Sequence, residues 1–459
     1  MDDSTTLRNE WTDIFRSDTP VHLALMGSIT AGCFQGWLKD RVSGWLPYVL
    51  SDGLYIAAVV LWFATIVVFR QPLVRTRGRS QFPTILLALV ALPLLYLLAP
   101  GTPLPIELAG LRAWSAFPIA FLIALTVIRS PGQARAYVGL VLILCVITGI
   151  YGIMQYIRGP QEALEAPLAT LRHGSTVFYR VETTGETDFR AFSTFTFPAP
   201  FAAMMVFGLL LGAGTIANRL RPGVERLLLI AIAPLLFVAM SLTGTRAALL
   251  ILLIGMLVLL WLRGVTWGQL LMVVLLVVAL HVATVLTSGR VASRLSTAVQ
   301  EGALWTYVTT PVRTALAALK DTWLGAGLGR SGVGVPFFMM ARMPRDFFVY
   351  GDGDIGRAAA EMGLMGLLWL VMLVAGLLPE MLRAARRLAQ SPERDLGLGI
   401  GALVLSEALV ILIGSPLSST PHAIIWWFLF GAAVRLSQDL PDPEPAAPEP
   451  EAEGLGVRG

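Results

Sequence analysis

Apolar residues in this chain come in long, nearly unbroken blocks, separated by short clusters of charge. Twelve blocks stand out. The first six are Val21–Leu38, Trp45–Phe69, Phe82–Leu98, Ala113–Ile128, Ala136–Ile157 and Phe195–Ile216. The second six are Leu227–Leu242, Ala247–Leu262, Leu270–Leu286, Ala358–Leu378, Leu396–Ile413 and Pro421–Leu436. Each is about 16–25 residues long, close to the roughly 20 that an α-helix needs to cross a bilayer core. The pattern predicts an all-α polytopic membrane protein of about twelve transmembrane helices. The first block is the weakest, interrupted by Gly27, Gly32 and Gln35.

The chain divides into a polar stretch over 1–20, a membrane domain over 21–437 and a tail over 438–459. The first stretch carries Asp2, Asp3, Glu10, Asp13 and Asp18, unlike a cleavable signal, so the first block is expected to serve as the insertion signal. The tail is acidic and proline-rich, cannot bury a core, and reads as disordered. Two connections are long, 158–194 and 288–357, the second lying between the ninth and tenth blocks.

Arginine gives these connections a side. Connections after even-numbered blocks hold Arg70, Arg75, Arg77, Arg79, Arg129 and Arg135, followed by Arg219, Arg221, Arg226 and Arg263. The tenth block is followed by Arg383, Arg386, Arg387 and Arg394, whereas the short opposite turns hold only Lys39, Arg41, Arg112 and Arg246. Positive residues favour the cytoplasm. Both termini are therefore expected inside and both long connections outside, which in a bacterium is the periplasmic face.

The composition, 56% hydrophobic and 14% charged, excludes a soluble domain. A net charge of +4 implies no nucleic-acid partner, because the arginines sit at block ends and not in one basic domain. Cys33 and Cys145 fall inside apolar blocks without metal-ligand spacing and read as small hydrophobes. His22, His173, His281 and His422 share no catalytic spacing. There is no internal repeat, which weighs against a transporter built from two related halves.

The remaining polar residues need reasons. Arg246 ends the turn Ser241-Leu-Thr-Gly-Thr-Arg246 between two apolar blocks, where hydroxyls and a guanidinium together suit a phosphate; snorkelling to headgroups is the alternative. Arg190 lies at the entrance to the sixth block beside Asp188, and Arg112 precedes Trp114, which fits an interfacial belt. Arg313 opens a stretch of helical spacing in which Leu316, Leu319 and Trp323 share a face. The glycines of Leu324–Gly332 lack the ending of a phosphate loop and read as a flexible turn. Asp352 and Asp354 lie just ahead of Arg357, placed to orient a hydroxyl and take its proton, or alternatively to start a helix. Glu361 pairs with Arg357 one turn earlier, and Glu407 lies deep in the eleventh block without an evident partner.

In order and spacing these pieces resemble the O-antigen ligase and O-antigen polymerase superfamily of bacterial membrane glycosyltransferases. The resemblance runs from about Gly110 to Gly366 and rests on Gly110-Leu-Arg112, Arg190 ahead of Phe195-Thr-Phe-Pro198, and Ser241–Arg246. It continues through Arg313 upstream of Trp323–Gly329 and ends on Glu361-Met-Gly363-Leu-Met-Gly366. It implies a GT-C-like, metal- and cofactor-independent enzyme of the bacterial inner membrane. Such an enzyme transfers glycan from an undecaprenyl-diphosphate-linked donor to a glycan acceptor, with a chain-length regulator as a further partner. Arg190, Arg246 and Arg313, supported by Arg112, would grip the diphosphate. Family ligases place a His-Asn pair about nine residues before the Glu-x-Gly motif; here Asp352-Gly353 stands there. The base is then Asp352 or Asp354, with Arg357 and Glu361 supporting, or else His173 or His422 from elsewhere. The missing histidine favours a polymerase over a ligase. A lipid-linked glycan flippase is the rival class.

Overall fold

Eleven of the twelve apolar blocks lie on helices. The structure, a computed structural model, describes residues 18–42, 46–69, 82–98, 102–159, 179–181, 187–264, 303–332, 335, 343–344, 347–349, 351–411, 414, 417 and 420–441. The block Leu270–Leu286, the arginine loop 70–79, His173, His281, the stretch 1–17, the tail beyond 441 and much of both long connections lie outside the described residues.

The first block is two helices, α1 (Thr19–Cys33) and α2 (Gln35–Arg41), broken at Phe34. α3 spans Leu46–Phe69, and α4 (Phe82–Leu94) ends in a 3₁₀ turn over Leu95–Leu98. The fourth block begins earlier than its hydropathy predicts: α5 (Leu104–Leu111) runs through a π-helical turn, Arg112–Ala116, into α6 (Phe117–Val127). α7 (Pro131–Arg158) has a local start signal, because Ser130 accepts from the Gln133 amide and Pro131 needs no donor. A short antiparallel pair follows, β1 (Tyr179–Val181) with β2 (Thr187–Phe189). Then come α8 (Pro198–Ala217), α9 (Gly223–Ser241) and α10 (Arg246–Arg263). α11 (Ala303–Asp321) lies within the second long connection.

The tenth block is also longer than predicted. α12 (Gly353–Val371), a π-helical turn (Met372–Leu377) and α13 (Leu378–Ala389) form one run, and α14 (Arg394–Val410) and α15 (His422–Asp439) complete the chain. Among the described residues six helices are long and apolar enough to cross a membrane, including Leu104–Val127, Pro131–Arg158 and Gly353–Ala389.

Packing explains which faces are buried. α15 lies against α6, α14 against α8, α10 and α13, and α1 against α3. An aromatic column fills the centre: Trp114 meets Trp369 edge-on at 5.2 Å, Trp426 meets Trp427 at 4.8 Å, and Phe121 meets Phe430 at 4.8 Å. Close crossings use small residues, since lipid tails supply no hydrophobic drive between helices. Gly214 on α8 lies so near Gly399 on α14 that a methyl there would sit 2.5 Å from the Gly399 Cα. Ile56, Val60, Phe63 and Val67 on α3, and Ile143, Ile147, Ile150 and Met154 on α7, stay exposed at helical spacing. A helix apolar on all faces belongs in lipid or in a core.

Ion pairs tie the helix ends. Arg135 donates from Nε and Nη2 to Asp395 at 3.0 and 3.1 Å, and Asn218 donates to the same carboxylate at 3.0 Å. Arg129 meets Asp18 at 2.5 Å. Cys33 and Cys145 are free thiols, fully buried as small hydrophobes.

The crossing of α8 and α14 yields a test. Gly214→Val overpacks a backbone contact and is expected to cost about 1–3 kcal/mol, read as a lowered unfolding midpoint in detergent. Gly139→Ala, where a methyl meets nothing within 4 Å, is expected to leave the midpoint unchanged or raised.

Candidate functional site

The site is built around a break in α12. Gly363 has φ 57° and ψ −135°, outside helical values, so the carbonyls of Ala360, Glu361 and Met362 lose their acceptor roles in the ladder. Each finds a substitute. Ala326 N donates to Ala360 O at 2.8 Å, Gly327 N to Glu361 O at 3.0 Å, and the Tyr96 hydroxyl to Met362 O at 2.6 Å. The freed Leu364 amide donates to Trp323 O at 3.0 Å. The glycine-rich stretch Leu324–Gly332, expected to be a flexible turn, is therefore docked on α12. Positive φ at Gly325, Gly327, Gly329 and Gly332 lets its backbone face the helix.

This docking places charge beside the break. Arg357 and Glu361 are fully buried on α12, as is Asp354 in its first turn. Arg357 Nη1 donates to Asp354 Oδ1 at 3.2 Å, and its Nη2 lies 3.9 Å from Glu361 Oε1. The expected pairing of Arg357 with Glu361 is thus present but looser than that with Asp354. Ser331 donates its hydroxyl to Glu361 and accepts from Arg357 Nε at 3.3 Å. Trp114 Nε1 donates to Glu361 Oε2 at 2.8 Å, and the Arg357 guanidinium lies over the same ring at 5.2 Å. Leu417 N donates to Asp354 Oδ2 at 3.1 Å, and Asp354 N donates to Gly414 O at 2.8 Å. Glu407 lies near enough to Asp354 for the two carboxylates to repel.

Asp352 and Asp354 differ sharply. Asp352 caps α12, accepting from the Gly353 amide at 3.1 Å, and remains half-buried. Its own amide donates to Thr314 Oγ1 on α11 at 3.3 Å. Asp354 is fully enclosed with both oxygens engaged. Asp352 is the more accessible carboxylate.

The arginines named from sequence sit on different elements of the chain. Arg190 donates from Nε to Thr243 O at 2.7 Å and from Nη2 to Thr245 Oγ1 at 3.0 Å, while Ala191 N donates to Leu242 O. Those bonds join the Arg190 segment to the turn that leads into Arg246, whose side chain lies outside the described residues. Arg112 is ion-paired with Asp52, in the π-helical turn that also presents Trp114 to Glu361. Arg313 is exposed on α11, one residue before Thr314. Gly414 and Leu417 hold Asp354, and the His422 ring lies 5.9 Å from Phe195.

Two expectations are corrected. Leu316, Leu319 and Trp323 do not form a buried helical face: Leu316 on α11 is 56% exposed and Trp323, beyond its end, 62% exposed, while Ala315 and Ala318 are buried against Ala359 and Ala360. Small side chains let the two helices approach, and that closeness, not apolar bulk, selects the face. Trp114 is not an interfacial residue but is 1% exposed, because its N–H needs a buried acceptor and finds Glu361. Sequence reading also missed Ser331, Thr314, Tyr96 and Asp52. None has a local signature, since each acts through a partner remote in the chain.

No group of three or more His, Cys, Asp and Glu residues that could hold a metal ion occurs among the described residues. No protein-family model matches the chain, and the search of curated proteins found no match.

Two outcomes follow from the cluster. Arg357→Met strands buried carboxylates and is expected to cost about 3–5 kcal/mol of stability. Adding Glu361→Gln removes one stranded charge and recovers part of that loss, measured by denaturant unfolding in micelles. Gly363→Ala places a side chain at positive φ among the Trp323–Gly325 backbone. It is expected to cost more than the ~1 kcal/mol of a strained residue alone, and Tyr96→Phe about 1–3 kcal/mol through the Met362 carbonyl.

Proposed function

We propose that this protein is a membrane glycosyltransferase that extends a surface polysaccharide from a polyprenyl-diphosphate-linked donor. The observation that carries the reading is the pair of hydrogen bonds from Arg190 to Thr243 and Thr245. They join two arginine-bearing segments, far apart in sequence, and bring the Arg190 guanidinium to the hydroxyl-bearing turn that precedes Arg246. A diphosphate leaving group needs that chemistry, because negative charge grows on it as the glycosidic bond breaks.

In this reading the arginine counts put both termini in the cytoplasm and the site at the outer surface of a bacterial inner membrane, with about twelve spans. The donor's prenyl tail lies between helices and its diphosphate against Arg190, Arg246 and Arg313. The acceptor hydroxyl attacks the anomeric carbon. The bond to the diphosphate oxygen breaks, that oxygen keeps the electron pair, and the hydroxyl proton passes to Asp352, the more open of the two carboxylates. Asp354, Arg357 and Glu361 hold the mouth of α12 in shape. Arg112, tied to Asp52, steadies the turn that carries Trp114. Transfer to a lipid-anchored core sugar in place of a growing chain gives the ligase variant of the same chemistry.

One observation favours a transporter instead. Asp354, Arg357, Glu361 and Glu407 are all buried within apolar helices, and ionisable groups inside a membrane often mark a translocation path. The two readings separate in a deletion strain. Single lipid-linked repeat units gathering on the outer leaflet indicate polymerisation, and gathering on the inner leaflet indicates flipping. With the enzyme, Arg246→Ala and Arg313→Ala are each expected to abolish growth of polymer length while the protein still inserts, and Asp352→Asn to slow it at least a hundredfold. Normal polymer in both arginine variants removes their role.

A further inference from the structure

A second arginine-lined place lies at the far ends of α8 and α10. α10 has 18 residues between Arg246 and Arg263, about 27 Å at 1.5 Å per residue. A cavity of about 840 Å³ there is lined by Arg219, Arg263, Arg386 and Arg394, with Trp261 and Leu220 among its apolar walls. No Asp or Glu lines it. The acids next to it in sequence are engaged at its edge: Glu393 accepts from the lining residue Ser391, and Asp395 is held by Arg135 and by the lining residue Asn218.

Ordinary structural reasons cover only part of this. Arg263 and Arg386 sit in the last turns of α10 and α13, where a cation offsets the helix dipole. Arg394 is the first residue of α14, where the dipole disfavours a cation. It donates from Nη2 to the Arg263 carbonyl at 3.3 Å, while its buried Nε makes no hydrogen bond among the described residues. The Arg386 guanidinium is fixed over the Trp261 ring at 4.5 Å. Arg219 stands in the α8–α9 turn. Four like charges lining one cavity, without a carboxylate among them, favour an anion shared between them.

We infer that this cavity binds a phosphate-bearing group, presented by an anionic phospholipid. The guanidinium fork matches phosphate oxygens. Leu220 and Trp261, 75% and 51% exposed, offer a surface along which acyl chains can lie beside the headgroup. The inference is independent of the glycosyltransferase reading and concerns the opposite end of α8 and α10.

The test uses the full chain purified in detergent. Phosphatidylglycerol or phosphatidylcholine is added in mixed micelles, and bound lipid is counted by native mass spectrometry beside the unfolding midpoint. Phosphatidylglycerol is expected to be retained and to raise the midpoint, and phosphatidylcholine to do neither. Arg219→Gln/Arg386→Gln, both exposed positions, is expected to reduce retention at least fivefold; Arg383→Gln, outside the cavity, is expected to leave it unchanged. Inorganic phosphate that raises the wild-type midpoint but not the double variant's supports the shared chemistry and identifies free phosphate as the source. Should the double variant fail to fold, Arg219→Gln alone carries the comparison. Equal retention of phosphatidylglycerol by wild type and variant, or of the two lipids by wild type, overturns the inference.

Discussion

A helix broken inside an apolar protein must find new partners for every backbone group the break releases, and the break at Gly363 sets that condition here. Unsatisfied carbonyls cost several kcal/mol in a medium without water. Three are answered by Ala326, Gly327 and Tyr96, and the Leu364 amide is answered by Trp323. Those partners come from the 3₁₀ turn after α4 and from the connection after α11. The break thus recruits two remote segments, and the glycines at 325, 327 and 329 are what let a chain approach so closely. Gly110 belongs to the same arrangement, since α5 packs directly on the Leu328–Gly329 backbone.

The charges follow from that docking. Ser331 reaches Glu361 only because the loop before it is pinned to α12, and Trp114 reaches it from the π-helical turn after α5. One guanidinium, that of Arg357, faces the carboxylates of Asp354 and Glu361, with Glu407 near by. Carboxylates therefore outnumber the cation, and hydrogen-bond donors from Ser331, Trp114 and Leu417 supply partners that Arg357 alone does not. Such a cluster fixes geometry well and leaves few lone pairs for chemistry. Within the proposed glycosyl transfer, that is the physical reason to prefer Asp352, which caps the helix at the edge of the cluster, as proton acceptor and Asp354 as a positioning residue.

Much of this fold was legible in the chain because a membrane imposes one strong rule, an apolar block of fixed length. Eleven blocks fall on helices for that reason. Helix starts were harder. α12 begins at Gly353 and not at Ala358 because its first turn is charged, and charge reads as loop until its buried partners are known. Leu316 and Trp323 misled in the opposite sense, since apolar bulk suggests a buried face, whereas α11 meets α12 through alanines. For the candidate site, the arginines and acids were visible as costly residues at block ends. Their partners, Ser331, Trp114 and Thr314, were not, because the bonds span 26 to 247 positions of sequence.

Arginine counts alone treat every guanidinium at a block end as equivalent, and the structure separates them by what surrounds each. Arg112 faces Asp52, Arg357 faces Asp354, Arg135 faces Asp395, and Arg190 donates to one carbonyl and one hydroxyl of a turn. Each of these has a partner within the protein, and Arg190 keeps further N–H donors beyond its two bonds to the turn. The arginines of the second cavity line it without a carboxylate; one is held there by the face of Trp261, and Arg394 donates to the Arg263 carbonyl. A positive residue placed only to orient the chain needs water or headgroups near it and no enclosure. Several guanidinium groups on a shared cavity favour an anion in addition, and that is what the proposed lipid-phosphate site adds to a topological signal.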